Sequence, residues 1–142
     1  MSAPLRLAVG GVTVLLGTPD ARHRVLDRLD DSSARCASGH GSARVRRIRA
    51  RSDQRLGERL DALDEARRER PAIVLIDGVA DGLTGPDRRT VLAAVRAVAA
   101  AGAAVLIDGA DPVSTLAVAD AALRIQPDGV LVVDDLVLRA AS

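Results

Sequence analysis

The sequence contains no phenylalanine, tyrosine or tryptophan. Leu, Val, Ile and Ala must therefore build any core, and no aromatic platform exists to stack a base or cage a cationic ligand. It also lacks lysine, since all 20 basic residues are arginine. That excludes a Schiff-base lysine and a lysine grip on phosphate. The single cysteine, Cys36, cannot close an internal disulfide, which fits a reducing compartment. Neither sign of charge is in excess: 20 basic against 19 acidic groups leave a net +1, so there is no global pull toward nucleic acid or anionic membrane. The N-terminal MSAPLRLAVGG lacks the apolar stretch and cleavage pattern of a signal peptide. The longest apolar run, 91–107, is interrupted by Arg96 and Gly102 and falls short of the roughly 18 residues that span a bilayer. The expectation is a cytoplasmic protein that does not itself cross a membrane. The Ala, Arg, Gly, Val and Asp bias is associated with GC-rich bacterial genomes.

What is present suits one domain over residues 1–142, with 48% apolar and 27% charged residues. A compact chain of this size buries roughly 68–70% of its unfolded surface. Leu5 to Val9 reads as a strand, Gly10-Gly11 as a two-residue turn, and Val12 to Leu16 as a second strand, together an N-terminal hairpin. Gly17-Thr18-Pro19-Asp20 is turn chemistry, and Asp20 can cap a helix over Ala21 to Leu29. Residues 31–52 read as a flexible or inserted region, in which the Arg-rich stretch 44–51 admits a short exposed edge strand. Leu56, Leu60, Leu63 and Ala66 predict a helix over Asp53 to Glu69, closed by Pro71.

Ala72 to Ile76 and Ala103 to Ile107 are continuous apolar runs, as expected for parallel strands buried on both faces, and Asp77 and Asp108 follow them. A helix from Pro86 to Ala101, stopped by Gly102, makes this stretch a βαβ unit. Pro112 to Asp120 reads as a short helix. Gln126-Pro127-Asp128-Gly129 joins two apolar runs, 122–125 and 130–133, as a C-terminal hairpin, and Leu136 to Ala140 as a last strand or short helix. Ligands of open α/β sheets bind beyond the carboxyl ends of the strands. Asp77, Asp108 and the Gly17 turn converge there if Val12 to Leu16 joins the same sheet.

Residues 71–112, PAIVLIDGVADGLTGPDRRTVLAAVRAVAAAGAAVLIDGADP, resemble the later half of an ATP-binding cassette (ABC) ATPase. Residues 11–30, GVTVLLGTPDARHRVLDRLD, look like that family's strand, phosphate loop and helix, and 119–135 look like its closing hairpin. The resemblance implies a three-layer α/β fold of the P-loop NTPase type, with a mostly parallel sheet and hairpins at both ends. It also implies where chemistry would lie. A phosphate loop needs glycines whose backbone N–H groups face phosphate, a Lys on the β/γ-phosphates and a Ser or Thr on Mg²⁺. By resemblance Gly17 is retained, Asp20 and Arg22 stand at the next two Gly positions, His23 at the Lys and Arg24 at the Ser/Thr. Asp77 matches the metal-binding Asp of the Walker B strand, and Gly78 replaces the catalytic Glu. Thr84 replaces the Asp of the dimer-contact loop, and Ala110 stands where a switch His would be, with Asp111 behind it. No signature motif precedes Pro71 beyond a remnant in RLGER, 55–59.

The resemblance thus implies a scaffold without catalytic residues: a non-catalytic pseudo-ATPase or interaction module. Its partner would be a transporter permease or an intact cassette subunit, placing it at the inner membrane through that partner. No cofactor is expected. A second reading is a weak nucleotide- and Mg²⁺-binding regulatory domain with residual ATPase activity, using Gly17, Asp20, Arg22, His23, Arg24 and Asp77. A third is a nucleic-acid-associated protein acting through Arg44, Arg46, Arg47, Arg49, Arg51 and Arg55, which would rest on salt-sensitive phosphate contacts. Each motif also has a plain structural reading. Asp77 and Asp108, two carboxylates at neighbouring strand ends, suit a divalent ion such as Mg²⁺ or another ligand, or, with Asp81 and Asp111, simply cap loops; the Gly17 turn can be an ordinary β–α connection, and the arginines a solvated face offset by Asp53, Glu58 and Asp61. Cys36, His40 and His23 lack the spacing of a metal site.

Overall fold

A computed structural model describes residues 6–29, 44–129 and 131–135 of the chain. Of the predicted hairpin strand at Leu5 to Val9, residues 6–9 carry no strand, and Leu5 lies outside the described residues. Gly11 N donates to Ala8 O at 3.2 Å and Gly10 N to Ala103 O at 2.9 Å, tying a turn rather than a ladder. The reason lies in the next element. β1 (Val12–Leu16) pairs on one side with β4 (Ala104–Asp108) and on the other with β5 (Ala121–Ile125), both parallel. Neither edge of β1 is left for a preceding strand.

Six strands form one sheet in the order β2-β3-β4-β1-β5-β6, with β2 at Val45–Arg49, β3 at Ile73–Asp77 and β6 at Leu131–Asp135. Only the β5–β6 hairpin is antiparallel, as its turn sequence predicts. The edge strand admitted within 44–51 is β2, parallel to β3. Cys36 and His40 lie outside the described residues, as do residues 136–142.

Strand alternation divides the core into two layers around the sheet. Val12, Val14, Val74, Ile76, Val105 and Ile107 face α2 (Leu56–Glu69) and α3 (Gly85–Ala100), which contribute Leu63, Ala66, Val91, Val95 and Val98. Leu15, Leu75, Leu106 and Leu123 face the other way, onto Leu26 of α1 (Pro19–Arg28). A core of Leu, Val, Ile and Ala closes because the central strands β1, β3 and β4 offer apolar side chains to both faces. The architecture is a three-layer α/β domain.

The helix predicted over Pro86 to Ala101 shifts by one residue, to Gly85–Ala100, and the other three differ more. The cap of α1 is Thr18, whose hydroxyl accepts from Ala21 N at 3.3 Å, not Asp20, which lies inside the first turn. α2 starts at Leu56 rather than Asp53, because residues 51–54 close a turn in which Gln54 Oε1 accepts from Arg51 N at 2.8 Å and Gln54 N donates to Arg51 O at 3.1 Å. α4 covers only Pro112–Leu116. It cannot run on to Asp120, because Asp120 N donates to Val12 O at 2.8 Å and the Asp120 carboxylate accepts from Val12 N at 2.9 Å.

The pentapeptide Val-Leu-Ile-Asp-Gly occurs at both 74–78 and 105–109. The two copies pair in register, so Asp77 lies opposite Asp108. All strands of the parallel set therefore deliver their last residues to one edge of the sheet.

Candidate functional site

Asp77, Asp108 and the start of α1 meet at that edge. Asp108 is the last residue of β4 and only 2% exposed. Arg22, on α1, places Nε 2.8 Å from Asp108 Oδ1. The two atoms are close enough for strong attraction, yet neither completes an aligned hydrogen bond. His23, the next residue, brings Nε2 to 3.9 Å from Asp108 Oδ2. Asp77 is reached from the edge strand by Arg49 Nε at 3.4 Å, and Arg49 also approaches Asp27 of α1 at 3.8 Å. One donor atom from each of His23, Asp77 and Asp108 lies within 4.8 Å of the others. Beside this cluster, among the described residues, a groove of about 500 Å³ is lined by Leu26, Asp27, Arg47, Ile48, Arg49, Leu75 and Asp77.

Burial pushes the Asp108 carboxyl up to about 6, and the neighbouring Asp77 carboxylate pushes the same way. The Arg22 guanidinium and His23 oppose this without cancelling it. Burial of the carboxylate thus outweighs the arginine at contact distance.

The turn between β1 and α1 contains two residues, Gly17 and Thr18. Gly17 has φ of 151°, and a Cβ there would stand 3.2 Å from Ile125 Cβ, so the turn is compressed against β5. From Pro19 onward the backbone is helical. Ala21 N is bound to the Thr18 hydroxyl and Arg22 N to Thr18 O at 2.9 Å, while Pro19 has no N–H to offer. A triphosphate cradle requires a run of backbone amides left free to face phosphate. Here the Ala21 and Arg22 amides are committed to the first turn of α1, and Asp20 adds a negative charge to it.

The remaining sequence-selected residues have local roles. Gly17, Asp20 and Arg24 are exposed and lie near the crevice on the same turn and helix as Arg22 and His23. Gly78 has φ of 73°, a left-handed conformation, and a Cβ there would lie 3.2 Å from Asp81 Oδ2. Asp81 Oδ1 accepts from Ala110 N at 3.0 Å, joining the loops that follow β3 and β4. Thr84 caps α3 and Asp111 caps α4, accepting from Asp87 N and Val113 N. Hydrogen bonding from Ser114 holds the Asp111 carboxyl below its usual range. Of the arginines, Arg46 pairs with Glu69 at 3.2 Å, Arg47 donates to Leu29 O, Arg49 contacts Asp77, and Arg51 contacts Asp53 at 3.3 Å. Arg44 and Arg55 are exposed.

Sequence reading grouped His23 with Asp77 but did not bring it to Asp108, which only the packing of α1 does. It missed Arg59, on α2 and 3% exposed. Its guanidinium donates to Val79 O at 3.1 Å, Asp81 O at 2.6 Å and Arg51 O at 3.2 Å, fixing the loop after β3 from below. Its helical position, i+3 from Leu56 and i−4 from Leu63, puts it on the buried stripe of α2 and was the available signal.

The sequence matches no protein-family model and no curated protein. Solved structures do match. An ATP-binding subunit of an ABC transporter is similar at TM-score 0.62 and 12% identity, over 93% of this chain and 81% of that one. A nucleotide-free ATP-binding cassette is similar at TM-score 0.60 and 10% identity, over 91% and 82%. The cbiO1 component of the cbiONQ ABC transporter complex from Clostridium perfringens is similar at TM-score 0.62 and 10% identity, over 97% and 82%. Among the described residues no helix is long and apolar enough to cross a membrane. With its six-stranded, mostly parallel sheet between helical layers, the chain has the fold of ABC transporter ATP-binding subunits.

Proposed function

We propose that this chain is a single-domain, non-catalytic pseudo-ATPase: a cassette scaffold that serves as an interaction module for a transporter permease or an intact cassette subunit, held at the cytoplasmic face of the inner membrane by that partner. The observation that carries the reading is the start of α1. Helix begins at Pro19, which has no N–H, and the Ala21 and Arg22 amides are spent on Thr18. Three further features support it. His23, at the position of the phosphate-binding lysine, turns toward Asp108. Gly78, at the position of the catalytic carboxylate, sits in a left-handed backbone beside Asp81, and Gly has no group to polarise water. Ala110, at the switch position, offers only its backbone, to Asp81. Removing one such electrostatic group typically costs about 10²–10³ in rate, and here they are missing together.

Phosphate release by the pure chain with ATP and Mg²⁺ tests the catalytic half of the proposal. The expected result is release no faster than in buffer. Turnover that Asp77→Asn abolishes would support the second reading instead, a weak nucleotide- and Mg²⁺-binding regulatory domain, which the retained Asp77 at the end of β3 favours. Affinity purification from membranes tests the other half. Enrichment of a multi-span membrane protein or a cassette subunit is expected, and its absence from detergent extracts contradicts the proposal. The nucleic-acid reading receives less support, because Arg46, Arg47, Arg49 and Arg51 already have partners within the chain.

A further inference from the structure

We propose that His23, Asp77 and Asp108 form a binding site for a borderline transition-metal dication of the Zn²⁺ class, independent of any nucleotide. Three donors converge from three separate elements, α1, β3 and β4, with ligand atoms within 4.8 Å of one another. The arrangement is anchored by a carboxylate that is 2% exposed. Its Oδ1 faces Arg22 Nε at 2.8 Å without an aligned hydrogen bond, and its Oδ2 faces His23.

The donor set selects the metal. One imidazole nitrogen with two carboxylates is the ligand chemistry of Zn²⁺ and its neighbours, whereas Mg²⁺ favours oxygen alone. A tetrahedral ion with bonds of about 2.1 Å holds its ligand atoms about 3.4 Å apart. His23 Nε2 and Asp108 Oδ2 are 3.9 Å apart, so rotation of side chains closes the gap without backbone movement. His23 is 54% exposed and Asp77 23%, which leaves an entry path and room for water as a fourth ligand. Arg22 occupies the Oδ1 side of Asp108 and competes with the ion by charge. That competition gives the site a signature that an adventitious surface site would not share: removing a cation should strengthen metal binding.

The test is calorimetric titration of the full chain, stripped of metal by a chelator, with ZnCl₂ and separately with MgCl₂. Visible absorption of bound Co²⁺ reports ligand geometry. One-to-one Zn²⁺ binding is expected, with Mg²⁺ much weaker. His23→Ala and Asp77→Asn should each weaken Zn²⁺ by at least about 10–100-fold, the cost of losing even a residue that supports a ligand. Arg22→Gln should strengthen it by about tenfold, as the loss of a unit charge at this range implies. His23 is exposed, so its variant should retain the wild-type melting temperature and isolate ligation from folding. Zn²⁺ affinity unchanged in both His23→Ala and Asp77→Asn overturns the site. So does binding that is lost instead in Cys36→Ser or His40→Ala. Weaker binding in Arg22→Gln would overturn the stated competition. None of these outcomes depends on whether the chain binds ATP.

Discussion

Asp108→Asn should make the protein more stable at neutral pH, although it breaks the closest ion pair in the crevice. Asp108 is 2% exposed, faced by Arg22 and His23 from α1 and by Asp77 from β3. Its carboxyl lies at about 6 in the fold against 3.8 in an open chain. The folded state therefore holds this proton more tightly than the unfolded state. Stability contributed by the protonated form is present below about pH 4 and is lost as pH rises toward 6 and beyond. At 1.36 kcal/mol per pH unit the difference sets a ceiling of about 3 kcal/mol against the charged form at pH 8. Asparagine has the shape of the protonated acid and never ionises. The expected gain at pH 8 is about 1–3 kcal/mol, or about 3–10 °C in Tm for a domain of this size. Near pH 4 the two proteins should converge. Urea melts of both, at closely spaced pH values with EDTA present, measure the difference directly. A variant that is less stable than wild type at pH 8, by an amount that does not shrink as pH falls, would refute the reasoning. It would mean that the Arg22 contact outweighs the desolvation of Asp108.

Arg59→Met should cost about 2–4 kcal/mol in chemical denaturation, because Val79 O, Asp81 O and Arg51 O lose their donor together; a loss below about 0.5 kcal/mol, the usual range for surface changes, would contradict its buried role. Asp120→Ala should cost about 1–3 kcal/mol, since the buried Val12 N–H loses its carboxylate acceptor and Arg96 its ion-pair partner, keeping only Val118 O. An unchanged Tm would count against this account. Gly78→Glu, which puts back a carboxylate after Asp77, should lower stability by about 1–2 kcal/mol through the left-handed backbone at 78 and should yield no phosphate release. Full stability with new turnover would show that only the side chain had been missing.

The sheet was legible because its strands are defined by composition. The apolar runs at 72–76 and 103–107 are too short for helices and too continuous for surface strands, and both are central strands. The Pro-Asp-Gly turn likewise marked the β5–β6 hairpin. The N-terminal hairpin was misread because local turn chemistry at Gly10-Gly11 says nothing about whether a neighbouring strand edge is available. β1 spends both edges on β4 and β5, which only the assembled sheet reveals. The end of α4 was misplaced for a similar reason, since Asp120 bonds to β1 across 108 residues of chain. At the site, Asp77 and Asp108 could be placed at strand ends from sequence. Their pairing with Arg22 and His23 depends on how α1 rolls against the sheet, which is set by Leu26 seating among Leu15, Leu75, Leu106 and Leu123.

The most direct test of the central claim, that the cassette fold persists here without a grip on nucleotide, is a calorimetric titration of the full chain with ATP in excess Mg²⁺. The predicted result is no saturable heat up to about 1 mM, an affinity no better than about −4 kcal/mol. One-to-one binding in the micromolar range, weakened by Asp77→Asn, would contradict the claim and place a working phosphate site at the turn between β1 and α1.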